Sequence, residues 1–150
     1  MHGRLILYVE DDKDDVFFMQ RAFREAGLAG ELIALPSGQQ AIDYLAGDGK
    51  FDGREKHPLP CLVLLDLNMP GKSGFDVLKW IRAQPAISAL PVVVLTSSRD
   101  ETDIQRAYQH GANAYLLKPA LPEKLADVLK TINDFWLGLN QLPPDPEKFA

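Results

Sequence analysis

Five short apolar runs recur along the chain between stretches of mixed polarity: residues 5–9 (LILYV), 31–35 (ELIAL), 62–65 (LVLL), 91–95 (PVVVL) and 113–117 (NAYLL). Each has the length of a β-strand. The first, third and fourth are almost continuously apolar, which suits strands covered on both faces, as in a parallel sheet. The segments between them have helical spacing. Residues 14–26 carry Val16, Phe17, Met19, Ala22 and Phe23 mostly three or four apart, and Gly27 stands where a helix C-terminal glycine is expected. Residues 37–46, 73–83, 99–110 (ending at Gly111) and 121–139 repeat the pattern. Five strand-then-helix units in succession predict an α/β fold, a doubly wound five-stranded parallel sheet with helices on both faces.

A length of 150 residues is that of one ordinary domain, and 46% apolar with 25% charged residues is enough for a core. Sixteen basic against 21 acidic residues give a net charge of −5 with no basic stripe, which argues against nucleic acid as a partner. The single cysteine, Cys61, leaves no disulfide framework and no cysteine metal site, and its apolar setting reads as a buried thiol. No apolar run approaches the ~18 residues of a membrane span, and the N-terminus turns acidic before a signal-type core can form. A cytoplasmic protein without a membrane partner is expected.

Ligands of open α/β sheets bind beyond the carboxyl ends of the strands, so the residues there carry the chemistry. They are Glu10, Asp11 and Asp12 after the first strand, Asp66 after the third, Thr96 and Ser97 at the fourth, and Lys118 after the fifth. Carboxylates crowded at one rim repel, and a raised pKa or a bound divalent cation relieves them. The donors are all oxygen, which selects a hard ion; Mg²⁺ fits because it shares its shell between one or two carboxylates and phosphate oxygens. An aspartate such as Asp66 can attack a phosphoryl group to give an acyl phosphate if a metal and a fixed cation, here Lys118, offset the charge on the transferring oxygens. Thr96 adds a hydroxyl that can follow the phosphoryl group, and a contact made only after phosphorylation is a switch.

These residues sit in four motifs: VEDD (9–12), LLDLNMPGKSG (64–74), VVVLTSS (92–98) and GANAYLLKP (111–119). In that order the chain resembles the receiver domains of two-component response regulators. The resemblance implies a flavodoxin-like strand order 2-1-3-4-5, with Asp66 as phosphoacceptor. It implies that Glu10, Asp11 and Asp66 hold Mg²⁺ together with the backbone carbonyl of Asn68, and that Thr96 and Lys118 bind the phosphoryl group. Lys118–Pro119 matches a dipeptide that is cis in the family, although an X–Pro bond taken on its own favours trans. Tyr115 falls at the aromatic switch position: as Thr96 moves toward the phosphoryl group, Tyr115 turns into the vacated space and the surface of helix 4, strand 5 and helix 5 rearranges. A sensor histidine kinase would be the phosphoryl donor, and hydrolysis would reset the site.

Plainer roles stand beside these. Asp14 and Asp15 suit a first helical turn, where acids meet the positive end of the helix dipole, and Asp12 suits an N-cap. Lys118 could simply neutralise acids, and Tyr115 could be a core aromatic with a wet hydroxyl. His2, His57 and His110 are expected to be exposed. Residues 47–60, rich in Gly, Pro and charge, read as a mobile insertion, a partner loop or an idle surface loop. The final stripe (Leu121, Leu125, Val128, Leu129, Ile132, Phe135, Trp136, Leu139) outruns a minimal receiver, dividing the chain into a receiver domain over 1–134 and a C-terminal arm over 135–150. Phe135, Trp136 and Leu139 suit a homodimer through helix 5 and this arm, or folding back onto the domain. The FWL ending and the long loop resemble small stand-alone regulators paired with phytochrome-type kinases, so a bacteriophytochrome is the expected donor. With no output domain following, signalling would act by docking. The chain is read as a phosphoacceptor rather than an enzyme in its own right. A phosphatase is disfavoured because Asn68 stands where a second acid would be needed. The remaining alternative is a non-switching binding or dimerisation module with a vestigial acid site.

Overall fold

The computed structural model describes residues 4–144. Strand β1 (Leu5–Val9) shows how the fold is built, because successive side chains enter different cores. Leu5, Leu7 and Val9 belong to one apolar cluster, Ile6 and Tyr8 to another, and all five are buried. The same division runs through β3 (Leu62–Leu65) and β4 (Val92–Thr96), so the central strands are covered on both faces. With β2 (Glu31–Leu35) and β5 (Ala114–Leu117) they form one parallel sheet of order β2-β1-β3-β4-β5. That is the flavodoxin-like order the resemblance implies. The first three strands match the apolar runs in extent, and β4 and β5 each begin one residue later.

Helices α1 (Lys13–Glu25) and α5 (Leu125–Ile132) cover the face that receives Ile6 and Tyr8. Helices α2 (Gly38–Ala46) and α3 (Gly74–Ala83) cover the other. Helix α4 (Glu101–Gln109) lies at the margin of that second layer and buries only Ala107. Side chains cap four of the five helices: Asp12, as expected, caps α1, Ser37 caps α2, Ser73 and Asp76 form a capping box on α3, and Asp100 caps α4. Gly27 and Gly111 follow α1 and α4 at positive φ, 63° and 99°. No helix among the described residues is long and apolar enough to cross a membrane.

Two segments correct the expectations. The stripe over 121–139 is not one regular helix: residues Pro122–Lys124 form a 3₁₀ turn, α5 follows, and Asn133–Leu139 continue as a π-helix. A π-helix closes i→i+5 bonds, so Leu137 comes to lie under Ile132, and both are buried. In a regular helix that face would have fallen to Trp136 and Leu139, but Leu139 is 79% exposed, and Phe135 is 49% exposed. Trp136 packs partly against the α1/α5 core. The ending therefore folds back in part and leaves Phe135 and Leu139 outside. The tail from residue 145 onward, like His2, lies outside the described residues.

The 47–60 segment is packed, not a free insertion. Phe51, on a 3₁₀ turn (Gly49–Phe51), and Leu59 are buried in the α2/α3 core. The Arg54 guanidinium donates to the carbonyls of Tyr44 (2.9 Å), Leu45 (2.5 Å) and His57 (3.2 Å), satisfying the open C-terminal end of α2. Tyr44 donates back to the Pro58 carbonyl at 2.8 Å. His57 stacks edge-on against Tyr44 and Phe51, and His110 against Phe75, so both are half-buried rather than exposed. Arg54→Ala strips donors from buried carbonyls and is expected to lower the unfolding free energy by about 1–3 kcal/mol in a urea titration; an idle loop would give a change within about 0.5 kcal/mol.

Candidate functional site

The two-residue alternation that sorts the cores also assembles the site. The sheet ladder continues past the strand ends, with Glu10 N–H donating to Leu35, Asp66 N–H to Val9 and Lys118 N–H to Thr96 carbonyls at 2.8–3.1 Å. The alternation therefore carries over to these residues. Glu10, Asp66 and Lys118 fall in step with Tyr8, Leu64 and Leu116, on the α1/α5 side. Thr96 and Tyr115 fall in step with Val94 and the α2/α3 layer beside α4. The rim thus has a charged half and a hydroxyl half.

On the charged half, one carboxylate oxygen from each of Glu10, Asp11 and Asp66 lies within 4.8 Å of the others. Glu10 and Asp66 are buried, and Asp11 is exposed, so the triad opens to solvent on one side. Three oxygen donors at this spacing fit a hard divalent cation held directly or through its own water. Glu10 is further bound on every side: Oε1 accepts from the Tyr8 hydroxyl (3.1 Å) and from Lys118 Nζ (2.5 Å), and Oε2 accepts from the Asp12 N–H (3.2 Å). Lys118 Nζ also donates to Asp15 Oδ2 at 2.7 Å and stands 3.8 Å from Asp66 Oδ2. Asp15 and Lys118 line a small cleft whose walls include Phe18, Leu95, Pro119 and Leu125. Low-polarity walls strengthen the charge interactions beside them.

Burial pushes the Glu10 carboxyl up to about 7, with Asp66 repelling in the same sense and the Lys118 bond opposing both. Burial presses Lys118 toward its neutral form, but the bonds to Asp15 and Glu10 outweigh it and hold the ammonium well above its ordinary pKa. The Tyr8 phenol is raised beyond reach of physiological pH by burial and by the Glu10 charge beside it. This half of the rim holds more negative charge than one ammonium can offset.

On the hydroxyl half, Thr96 is fully buried and its Oγ1 accepts a long bond from the Ser98 N–H, 3.4 Å. The half-buried Tyr115 packs against the core and donates its hydroxyl to the Ser98 carbonyl at 2.9 Å. Ser98 Oγ in turn donates to Asp103 Oδ2 on α4 at 2.7 Å. The Arg106 guanidinium lies 4.0 Å from the centre of the Phe75 ring. Helix α4 is thus joined to the rim through polar contacts rather than a deep apolar seat.

The structure brings Glu10, Asp11, Asp66 and Lys118 together and sets Thr96, Tyr115 and the exposed Asn68 on the same rim. Asp12 is the α1 cap, accepting from the Asp14 and Asp15 N–H groups. Every peptide bond among the described residues is trans, Lys118–Pro119 included, so the cis form implied by the resemblance is not found. Sequence reasoning missed Asp15: it was read as a helix-dipole acid, yet it is the outer partner of Lys118. Its place in the first turn of α1 carries no local mark of that contact, which spans 103 residues of sequence.

Against known proteins, residues 6–130 match the response regulator receiver domain family. The chain is 39% identical to the probable methanogenesis regulatory protein FilR2 of Methanothrix harundinacea over 93% of this chain and 87% of that one. It is 38% identical to the response regulator Rcp1 of Synechocystis over 93% of each. The Mn²⁺-bound structure of Rcp1 superimposes with a TM-score of 0.82 over 93% of this chain and 99% of that one. The phosphorylated cyanobacterial phytochrome response regulator RcpA is 36% identical and superimposes with a TM-score of 0.85, over 93% and 98% of the two chains. The likeness to phytochrome-type regulators expected from the FWL ending and the long loop is therefore found, and a divalent cation accompanies one of these relatives. With this fold, this acid triad and a match over most of its length, the chain belongs to the response regulator receiver domain family.

Proposed function

We propose that the chain is a single-domain response regulator, working in the cytoplasm, that takes a phosphoryl group onto Asp66 from a sensor histidine kinase. The observation that carries this is the buried Asp66 carboxylate grouped with Glu10 and Asp11, with Lys118 Nζ 3.8 Å away. Asp66 attacks phosphorus; an O–P bond forms as the N–P bond to the donor imidazole breaks, and hydrolysis later returns the carboxylate and inorganic phosphate. Lys118 supplies a fixed positive charge to the phosphoryl oxygens, and Thr96 donates its hydroxyl to one of them. Glu10, Asp11, Asp66 and the Asn68 carbonyl would hold Mg²⁺, which when bound offsets charge on the transferring oxygens. The chain takes part in its own phosphorylation and reset but turns over no separate substrate. Because solved relatives are named as phytochrome and bacteriophytochrome response regulators, a bacteriophytochrome is the donor we favour.

The readout is the α4–β5–α5 face. Thr96 and Ser98 lie on the connection that Tyr115 holds through its hydroxyl and that Asp103 ties to α4. Drawing Thr96 toward a phosphoryl group pulls on that connection, and a helix with one buried side chain is the element best able to follow. The domain proper spans 1–134 and the arm 135–150. Phe135 and Leu139, with the outer part of Trp136, form a homodimer surface with α5. Their exposure supports that role, since large apolar side chains left outside a fold are costly unless a partner covers them.

Incubation with Mg²⁺ and acetyl phosphate should add one phosphoryl group by mass spectrometry, and Asp66→Asn should abolish it; label that survives the substitution would place the acceptor elsewhere. Because Glu10 must be ionised to hold a cation and titrates near 7, Mg²⁺ uptake should release a proton. Its affinity should weaken several-fold as pH falls from about 8 to 6, read by calorimetry in buffers of different ionisation enthalpy. Leu139→Glu should turn a sedimenting dimer into a monomer; a parent that already sediments as a monomer contradicts the interface.

A further inference from the structure

Lys118 Nζ has three N–H donors, and in this structure two are taken by carboxylates other than the proposed phosphoacceptor. Glu10 Oε1 takes one, and Asp15 Oδ2, at 2.7 Å, takes another. Asp66 Oδ2, at 3.8 Å, is beyond hydrogen-bond reach. The two partners are unlike. Glu10 is almost wholly buried and also accepts from Tyr8 and Asp12, whereas the Asp15 side chain is 38% exposed on the first turn of α1. Asp15 is nevertheless held in place, because Asp12 accepts from its N–H at 3.1 Å and fixes the turn that carries it. Asp14, one residue earlier and bound to the same cap, is exposed and makes no contact with Lys118.

We propose that Asp15 is a positioning residue that parks Lys118 on the outer side of the rim, so that the ammonium engages a phosphoryl group on Asp66 only by giving up the Asp15 bond. The inference rests on the reading of Asp66 as phosphoacceptor. Two effects act in one direction. The parking bond competes for the donor that the phosphoryl oxygens need, and the Asp15 charge repels an incoming anion across the same ammonium. The Asp15 end of the pair is open to solvent screening, so the brake is partial and reversible. Asp15 thereby adjusts how readily the site is filled without touching the reacting atoms.

The test compares the parent, D15N, D15E and D14N for the initial rate of phosphorylation by acetyl phosphate and for equilibrium uptake of beryllofluoride with Mg²⁺, followed by ¹⁹F NMR. D15N is expected to raise the rate and tighten beryllofluoride binding by roughly two- to fivefold, the equivalent of ~0.4–1 kcal/mol at about 1.4 kcal/mol per decade. D15E, which keeps the carboxylate, should return toward parent values. D14N removes the same charge from the same turn without a bond to Lys118 and should leave both quantities unchanged. If D15N matches D14N, or lowers the rate or the affinity, the parking role is wrong while the phosphoacceptor stands. If the parent itself takes up neither label nor beryllofluoride, the phosphoacceptor reading fails and the inference falls with it. Thermal melts of all four proteins separate these outcomes from loss of fold, since a purely structural Asp15 would lower the melting temperature without tightening beryllofluoride binding.

Discussion

One ammonium faces four carboxylates at the rim of this sheet, and the rest of the molecule is arranged around that imbalance. Lys118 contacts Glu10 and Asp15 directly and sits near Asp66, while Asp11 completes the acid group from the solvent side. Burying like charges beside one another is unfavourable unless something positive stands between them. A single lysine offsets only part of the repulsion. The residual negative field, together with the open side at Asp11, suits the site to a divalent cation. Burial raises the Glu10 carboxyl, and the neighbouring Asp66 charge adds to it.

The backbone solves the problem of gathering these groups by repetition. Five parallel strands end along one edge, and the alternation within each strand decides which side chains meet. Glu10, Asp66 and Lys118 share one side, Thr96 and Tyr115 the other. Close approach behind the site depends on Gly74, where a Cβ would lie 2.3 Å from the Asp66 carbonyl oxygen. That glycine lets the start of α3 tuck against the residue the site is built on, and its N–H is accepted by the Leu67 carbonyl. The acid and the helix behind it therefore form one rigid piece, while α4 across the rim is held by hydroxyls and a stacked arginine.

Most of this was legible in the amino-acid sequence because it follows from local rules. Continuous apolar runs give buried strands, spacing of three and four gives the helices, and the cap Asp12 stands where it should. The rim residues could be found because a charged side chain directly after a buried strand has few other places to go. What escaped reading was decided by contacts distant in sequence. Residues 47–60 look like solvent-facing loop by composition, yet Arg54 finds the open carbonyls of α2 and the aromatic rings of Phe51 and Tyr44 close over the same corner. Asp15 has an adequate local explanation as a first-turn acid, and only the folded position of Lys118, far along the chain, reveals its second use. A change from α- to π-hydrogen bonding leaves no mark on hydrophobic spacing until the core it must fit is known.

That last change has an evolutionary corollary. A π-helical turn is equivalent to an α-helix into which one extra residue has been inserted. Removing a single residue between 133 and 138 would tighten the winding, rotate everything after it, and exchange the side chains now turned inward for those turned outward. Small length differences at this point would thus alter which apolar groups the end of the chain displays without disturbing the sheet. Insertion or deletion here would change the associates that the end of the chain can meet and leave the acid-lined edge of the fold intact.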